Sequence, residues 1–363
     1  MATVGGMDSA AQPDPPAAQP YSVRLSDPGD LAAGIPHLLG FHPRNSVVVI
    51  SLTGPSGRRV GLTMRADIPV PRHDRALAHQ LANGVRSDDP DGVVMAVVSD
   101  ADNEAGDTEL PHQQLVHELT MAMTSAGLPV RDVLLVRSGR WWSYDCPHRC
   151  CDPTAGTPLP TGVTELEVAT VASGVVVAND RAEVASRLER SPEAAAIGDA
   201  VLRTASERVV DILDRGRETV REEATAAIAA AAAGPSTGAP APRLSDDDLA
   251  RMVWALRDDV VRDAALDFAL GPDAAGAEAL WMECARRAPA PLDAAPATLL
   301  AVSAWLRGDG ATANIALERA LASDPGYALA RLLSEALAAC LSPKGLRQLI
   351  RASSLAAATR GRK

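Results

Sequence analysis

Three thiols and one imidazole fall within six residues of this chain, in the run Asp145-Cys146-Pro147-His148-Arg149-Cys150-Cys151-Asp152. Thiolate sulfur and imidazole nitrogen are ligands that zinc prefers, and neighbouring thiols can also form a disulfide. A closed zinc site normally draws two ligand pairs from separate segments, and no second Cys/His pair follows at suitable spacing. Cys284 and Cys340 lie in stretches that read as helices. Three readings therefore stand side by side: a reduced structural turn, a local disulfide or redox pair, or a metal site. The metal site would use Cys146, His148, Cys150 and Cys151, with zinc as the ion and His42 or His37 completing it across the fold.

A second set of polar groups sits where strands are expected to end. Asp67, Ser99, Asp100 and Arg137 occupy such positions, and in open α/β sheets ligands bind outside the carboxyl ends of the strands. Arg65 and Asp67 share one polar strand face, which suits an anion or a metal, or else a plain surface ion pair beside helix caps. His42 lies in the turn Phe41-His42-Pro43 ahead of the most apolar strand, where turn geometry alone accounts for it. Trp141 and Trp142 either stack a ligand or form core and rim. The run Asp100, Asp102, Glu104, Asp107, Glu109 reads as a solvated loop.

Several chemistries are excluded. Of 35 basic residues only Lys344 and Lys363 are lysine. The first 343 residues therefore cannot build a Walker A loop, a pyridoxal Schiff base or the strand lysine of a protein kinase. The one G-x-S-x-G match, Gly234 to Gly238, lies in the Pro/Gly-rich linker and not between a strand and a helix, so it makes no nucleophile elbow, and there is no G-x-G-x-x-G fingerprint. His73 and His79 are six apart and His112 and His117 five apart, so neither makes the i, i+4 pair of a zinc helix.

The elements that must position these groups can be read in order. Val23 to Leu25 reads as a short first strand. Asp27-Pro28-Gly29-Asp30 then supplies an N-cap, a proline at the first helical position and an acid in the first turn. Leu31, Ile35, Leu38 and Leu39 fall on one helical face, and Gly40 ends the helix. Val47 to Leu52 is apolar without a break, as in a strand buried on both faces. Leu62, Met64, Ala66 and Ile68 alternate with polar residues, so a hairpin partner follows through Gly54-Pro55-Ser56-Gly57. Helices at Leu77, Leu81, Val85 and at Leu115, Leu119, Met123 alternate with strands at Val93 to Val98 and Val133 to Val136. The pattern predicts an α/β domain over 21–163, with a mixed, mostly parallel sheet and helices on both faces.

Residues 1–20 read as a disordered leader. From 164 to 232 a helical extension is expected, with continuous helices over Glu167 to Arg187 and Glu193 to Ala232. A linker at 233–243 contains GPSTGAPAP, an all-α repeat-like domain spans 244–345, and a basic tail covers 346–363. The repeat is visible within the chain. Setting Pro325 on Pro289 places Ala313 on Ala277, Ala320 on Cys284 and Ala301 on Ala265, a period of 36. Small residues at those points would let paired helices approach, as in a tetratricopeptide-like hairpin.

Hydrophobic residues make up 47% of the chain but only ten are aromatic, so the cores must be built from Ala, Val and Leu. The formal charge of −11 opposes non-specific binding to nucleic acid. With no secretory h-region and no apolar run of membrane-spanning length, a cytoplasmic protein with reduced or metal-bound thiols and no membrane partner is expected.

Five segments carry a resemblance: LSDPGDLAAGIPHLLGFHPRNSVVVISL, GLTMRADIP, WWSYDC, CCDPTAGTPLP and WLRGDGATANIALERALASDPGYALARLL. Together they resemble an actinobacterial family known as domain of unknown function 4192, over about Val23 to Leu341. The resemblance implies a cytoplasmic protein of high-GC bacteria, and it implies no activity, cofactor or catalytic residue. The expectation is a non-enzymatic binding or scaffolding protein that takes a protein partner through its C-terminal helices, with a ligand-sensing or structural α/β domain. The alternative is a small-ligand enzyme using the strand ends and the cysteine loop.

Overall fold

The computed structural model describes residues 27–54, 59–101, 109–162, 167–168, 176–195, 197–233 and 243–360. Helix α1 (Pro28–Leu39) starts where its signals place it. The Asp27 side chain accepts from the Gly29 N–H at 2.6 Å, Pro28 takes the first turn, and Gly40 closes the helix in the left-handed region. Strand β1 (Ser46–Thr53) follows, its first six residues buried. Val47 and Val49 pack on one side against α2 (Asp74–Val85) and α3 (Gln113–Ser125). Val48 and Ile50 pack on the other side against Leu31, Ala32 and Ile35 of α1. An unbroken apolar run is what a strand with two buried faces requires.

The remaining strands are β2 (Arg59–Asp67), β3 (Gly92–Val98), β4 (Val130–Arg137), β5 (Arg140–Ser143) and β6 (Thr157–Pro158). Their order across the sheet is β2-β1-β3-β4-β5-β6. The sheet is mixed with helices on both faces, as expected, but it is not mostly parallel. Only β3 and β4 pair parallel, while β1 pairs antiparallel with both β2 and β3, and β5 pairs antiparallel with β4 and β6. The physical reason lies in the crossovers. β2, β3 and β4 all run the same way and are linked through α2 and α3, but β1 is inserted between β2 and β3. The expected strand at Val23 to Leu25, the hairpin tip at 55–58 and most of the acidic run at 102–108 lie outside the described residues.

From Ala178 onward the described residues are helical apart from turns. The structure has α4 (Arg181–Arg187), α5 (Gly198–Arg215), α6 (Arg217–Ala233), α7 (Asp246–Ala255), α8 (Asp259–Ala265), α9 (Ala274–Arg287), α10 (Ala294–Arg307), α11 (Gly310–Ser323), α12 (Ala328–Ala338) and α13 (Pro343–Arg360). The helix expected over Glu193 to Ala232 is instead a short 3-10 turn followed by α5 and α6, broken at Gly216. The helix expected over Glu167 to Arg187 is interrupted, because Ala178 is extended and bridges Phe41. Residues 169–175 lie outside the description.

Residues on both sides of 233–243 share one hydrophobic cluster. Ile228 and Ala232 of α6 pack with Leu249, Val253 and Ala277. The cores therefore part between the sheet and Ala178 rather than at the linker, of which residues 234–242 fall outside the described residues. α10, whose only charge is Arg307, is buried from Ala294 to Leu306, as a helix apolar on all sides must be. α11 begins and ends 36 residues after α9, and Ala277, Cys284, Ala301, Ala313 and Ala320 are all fully buried. The two bodies meet at Phe41, whose ring enters the helical cluster. The Ala178 N–H donates to the Gly40 carbonyl at 2.9 Å, and the His42 N–H donates to the Ala178 carbonyl at 3.0 Å.

Candidate functional site

The cysteine loop is built outward from the sheet edge. β4 turns through Ser138-Gly139 into β5, and the chain then arches from Tyr144 to Gly156 before closing on β6. Three side chains hold the arch by its carbonyl oxygens, and Tyr144 anchors its start to Pro111. Trp142 Nε1 donates to Asp152 O at 3.0 Å, Arg137 Nη2 to Pro153 O at 3.3 Å, Arg140 Nη1 to Ala155 O at 3.1 Å and to Gly156 O at 2.9 Å, and Tyr144 Oη to Pro111 O at 2.7 Å. The Arg137 guanidinium also lies 4.9 Å from the centre of the Trp142 ring. Trp142 is buried in the sheet core and Trp141 is half-buried on the opposite face, so the pair serves as core and rim.

Within the arch, the 3-10 turn Arg149–Cys151 gathers the thiols. Cys146 Sγ is 3.8 Å from Cys150 Sγ, Cys150 Sγ is 4.0 Å from Cys151 Sγ, and all three sulfurs lie within 4.8 Å of one another. All are free thiols; Cys150 is exposed, Cys146 half-buried and Cys151 buried. The Ser143 N–H donates to Cys151 Sγ at 3.3 Å. The backbone N–H of His148 is the main influence holding the Cys146 thiol below its ordinary value, whereas burial pushes Cys151 up to about 12. His148 thus serves through its backbone. Its ring does not join the trio, and neither do His37 and His42, so the grouping among the described residues consists of the three thiols. His148 is in extended conformation ahead of the turn that carries Cys150 and buried Cys151.

The strand-end residues do share one edge, since β2, β3 and β4 run together, but they do not converge. Exposed Asp67 pairs with Arg65 at 2.6 Å, and Arg65 Nε donates to Ser46 Oγ at 2.8 Å. Asp100 is exposed and its N–H donates to Asn45 Oδ1 at 3.3 Å. Arg137 Nη1 donates to Ala101 O at 2.8 Å, which ties the segment after β3 to the cysteine arch. His42 is exposed and meets the helical body through its backbone.

Between them the fold places a pair that the residue spacing does not reveal. Ser99 Oγ, buried just beyond β3, lies 2.8 Å from His112 Nε2 and accepts from the Ala101 N–H at 3.1 Å. His112 caps α3 with φ of 63°, a left-handed conformation uncommon outside glycine. Burial holds its imidazole below 6.5, opposed by the charge of Asp74. Asp74 is itself raised by burial and by Glu118. The only sequence signal was a histidine immediately ahead of the amphipathic helix; its partner is 13 residues away on the end of a strand.

A cavity of about 730 Å³ opens between the bodies, touching Leu39 and Gly40 at the end of α1. Its apolar wall includes Val184, Leu188, Met282 and Leu306, and Arg187, Arg307 and Arg347 also line it. Arg307 is held by Glu278 at 2.8 Å and Asp309 at 3.3 Å.

Fold and site together define a two-body protein: a mixed α/β sheet with a thiol-bearing arch, joined to an all-helical body. The chain matches the family model described as Domain of unknown function (DUF4192) over residues 28–344, and it belongs to that family. No curated protein and no solved structure matches it. No helix among the described residues is long and apolar enough to cross a membrane.

Proposed function

We propose that this is a binding protein whose helical body takes an apolar, acidic segment of a protein partner into the cleft beside α1. The cleft is the observation that carries the reading. An apolar wall of Val184, Leu188, Met282 and Leu306 lies beside Arg187 and Arg347, within the size range of ligand-binding pockets. The 36-residue offset between α9 and α11 supports a repeat-type helical platform, the kind of surface that presents a groove to peptides. Partner binding would touch Leu39 and Gly40, directly ahead of the central strand.

The test is selection from a random peptide library against the full chain and against Ala279→Trp, which fills the cleft from an exposed lining position. Enriched peptides should pair acidic with apolar residues and bind the variant at least about tenfold more weakly. Its unfolding midpoint should be unchanged. No enrichment, or binding indifferent to the substitution, defeats the reading. A second reading, a hydrolase at the strand edge, is favoured by the Ser99–His112 contact. A fluorophosphonate probe that modifies Ser99 would support it, and no modification would remove it.

A further inference from the structure

We propose that Cys146, Cys150 and Cys151 bind one zinc ion as a three-thiolate centre whose fourth position faces solvent. This inference is independent of the cleft. Zinc–thiolate bonds of about 2.3 Å at tetrahedral angles set sulfur–sulfur edges of about 3.8 Å. The thiols stand near that spacing, with edges of 3.8 and 4.0 Å and no disulfide among them. Neutral thiols gain only weak S–H···S hydrogen bonds from such proximity, whereas three thiolates that close together need a cation to offset their repulsion.

The site is also organised in advance. The bonds from Trp142, Arg137 and Arg140 to the carbonyls of Asp152, Pro153, Ala155 and Gly156 hold the arch in place without help from an ion. The Ser143 N–H already points at Cys151 Sγ, the kind of outer contact that orients a thiolate ligand. Ordering entropy is therefore met by the fold, and zinc is left to satisfy the sulfur charge. Among the described residues no fourth side chain joins the three, and Cys150 is exposed. Water or an exogenous donor completes the coordination, which is the arrangement of an open zinc site.

The experiment uses the full chain, purified under reducing, oxygen-free conditions, with bound metal and free thiols measured on the same sample. About one equivalent of zinc per chain is expected. Cobalt(II) exchanged into the site should give thiolate-to-cobalt charge-transfer absorption, and added imidazole should shift the ligand-field bands by entering the fourth position. Cys150→Ser, at an exposed position, should weaken zinc binding by at least about tenfold. Cys340→Ser, outside the trio, should leave it unchanged and serves as the folding control. Metal-free protein with three reactive thiols would overturn the proposal, as would iron with inorganic sulfide, a Cys146–Cys150 disulfide that persists in reductant, or zinc retained in full by Cys150→Ser.

Discussion

A Cβ placed on Gly156 would stand 2.4 Å from the Trp142 ring, and Gly156 holds φ at 66°. The arch closes over the tryptophan only because this residue has no side chain and tolerates the left-handed conformation. Gly156→Ala should cost about 1–3 kcal/mol in chemical denaturation, from strain and from the displaced ring. It should also disperse the thiols, lowering zinc affinity. A variant as stable as the parent would show that the arch closes some other way.

The burial of His112 sets a pH dependence. Because burial holds the folded imidazole below 6.5, the unfolded chain binds its proton more readily. The contribution of His112 is therefore complete above about pH 6.5 and is lost as pH falls through that value toward the folded one. Asp74, raised by burial, acts with the opposite sign and at more acid pH. In His112→Gln the loss of denaturation midpoint on going from about pH 7 to about pH 5 should shrink. An identical pH profile in parent and variant would refute the assignment.

Helix α9 crosses α6 where Gly276 meets Ala232, and a Cβ on Gly276 would fall 1.9 Å from the Ala232 carbonyl oxygen. In an isolated helix, glycine to alanine gains up to about 1 kcal/mol. Here the overlap with a backbone atom should reverse the sign, and Gly276→Ala should lose about 1–3 kcal/mol net. Stabilisation measured in urea would mean that the two helices sit farther apart.

Asp293 is fully buried and accepts from Arg190 at 2.6 Å, from Arg319 at 3.2 Å and from the Ser323 hydroxyl. This carboxylate binds the segment after α4 to α11. Asp293→Ala leaves the largely buried Arg319 without its counter-charge and should cost about 3–5 kcal/mol. Thermal and urea unfolding both report it; a loss below about 1 kcal/mol would mean that solvent reaches the site.

Much of the α/β body was legible because its signals are local. The cap at Asp27, the unbroken apolar run at Val47 to Leu52 and the period-two strand opposite it each state their own structure and their own burial. β5 gave no such signal: Arg140 to Ser143 is a four-residue strand whose extension depends on pairing with β4. Asp67 and Arg137 were placed at the right edge, but what they touch there depended on neighbours far along the chain. Arg65 takes Asp67, while the carbonyls of Ala101 and Pro153 take Arg137. Ser99 and His112 could not be joined without knowing where the end of β3 meets the start of α3.

The sequence by itself determined the order of helices and strands from α1 to β4, the two-face burial of β1, the lysine-free chemistry and the clustering of three thiols in one loop, because periodicity, capping and composition act over a few residues. Tertiary structure alone decided that β1 slips between β2 and β3, that α5 and α6 share a core with the helices beyond the linker, and that the three sulfurs gather without the His148 ring. Those outcomes depend on register and on contacts between distant segments, whose energies are set by the whole packed molecule and leave no mark in any short stretch of residues.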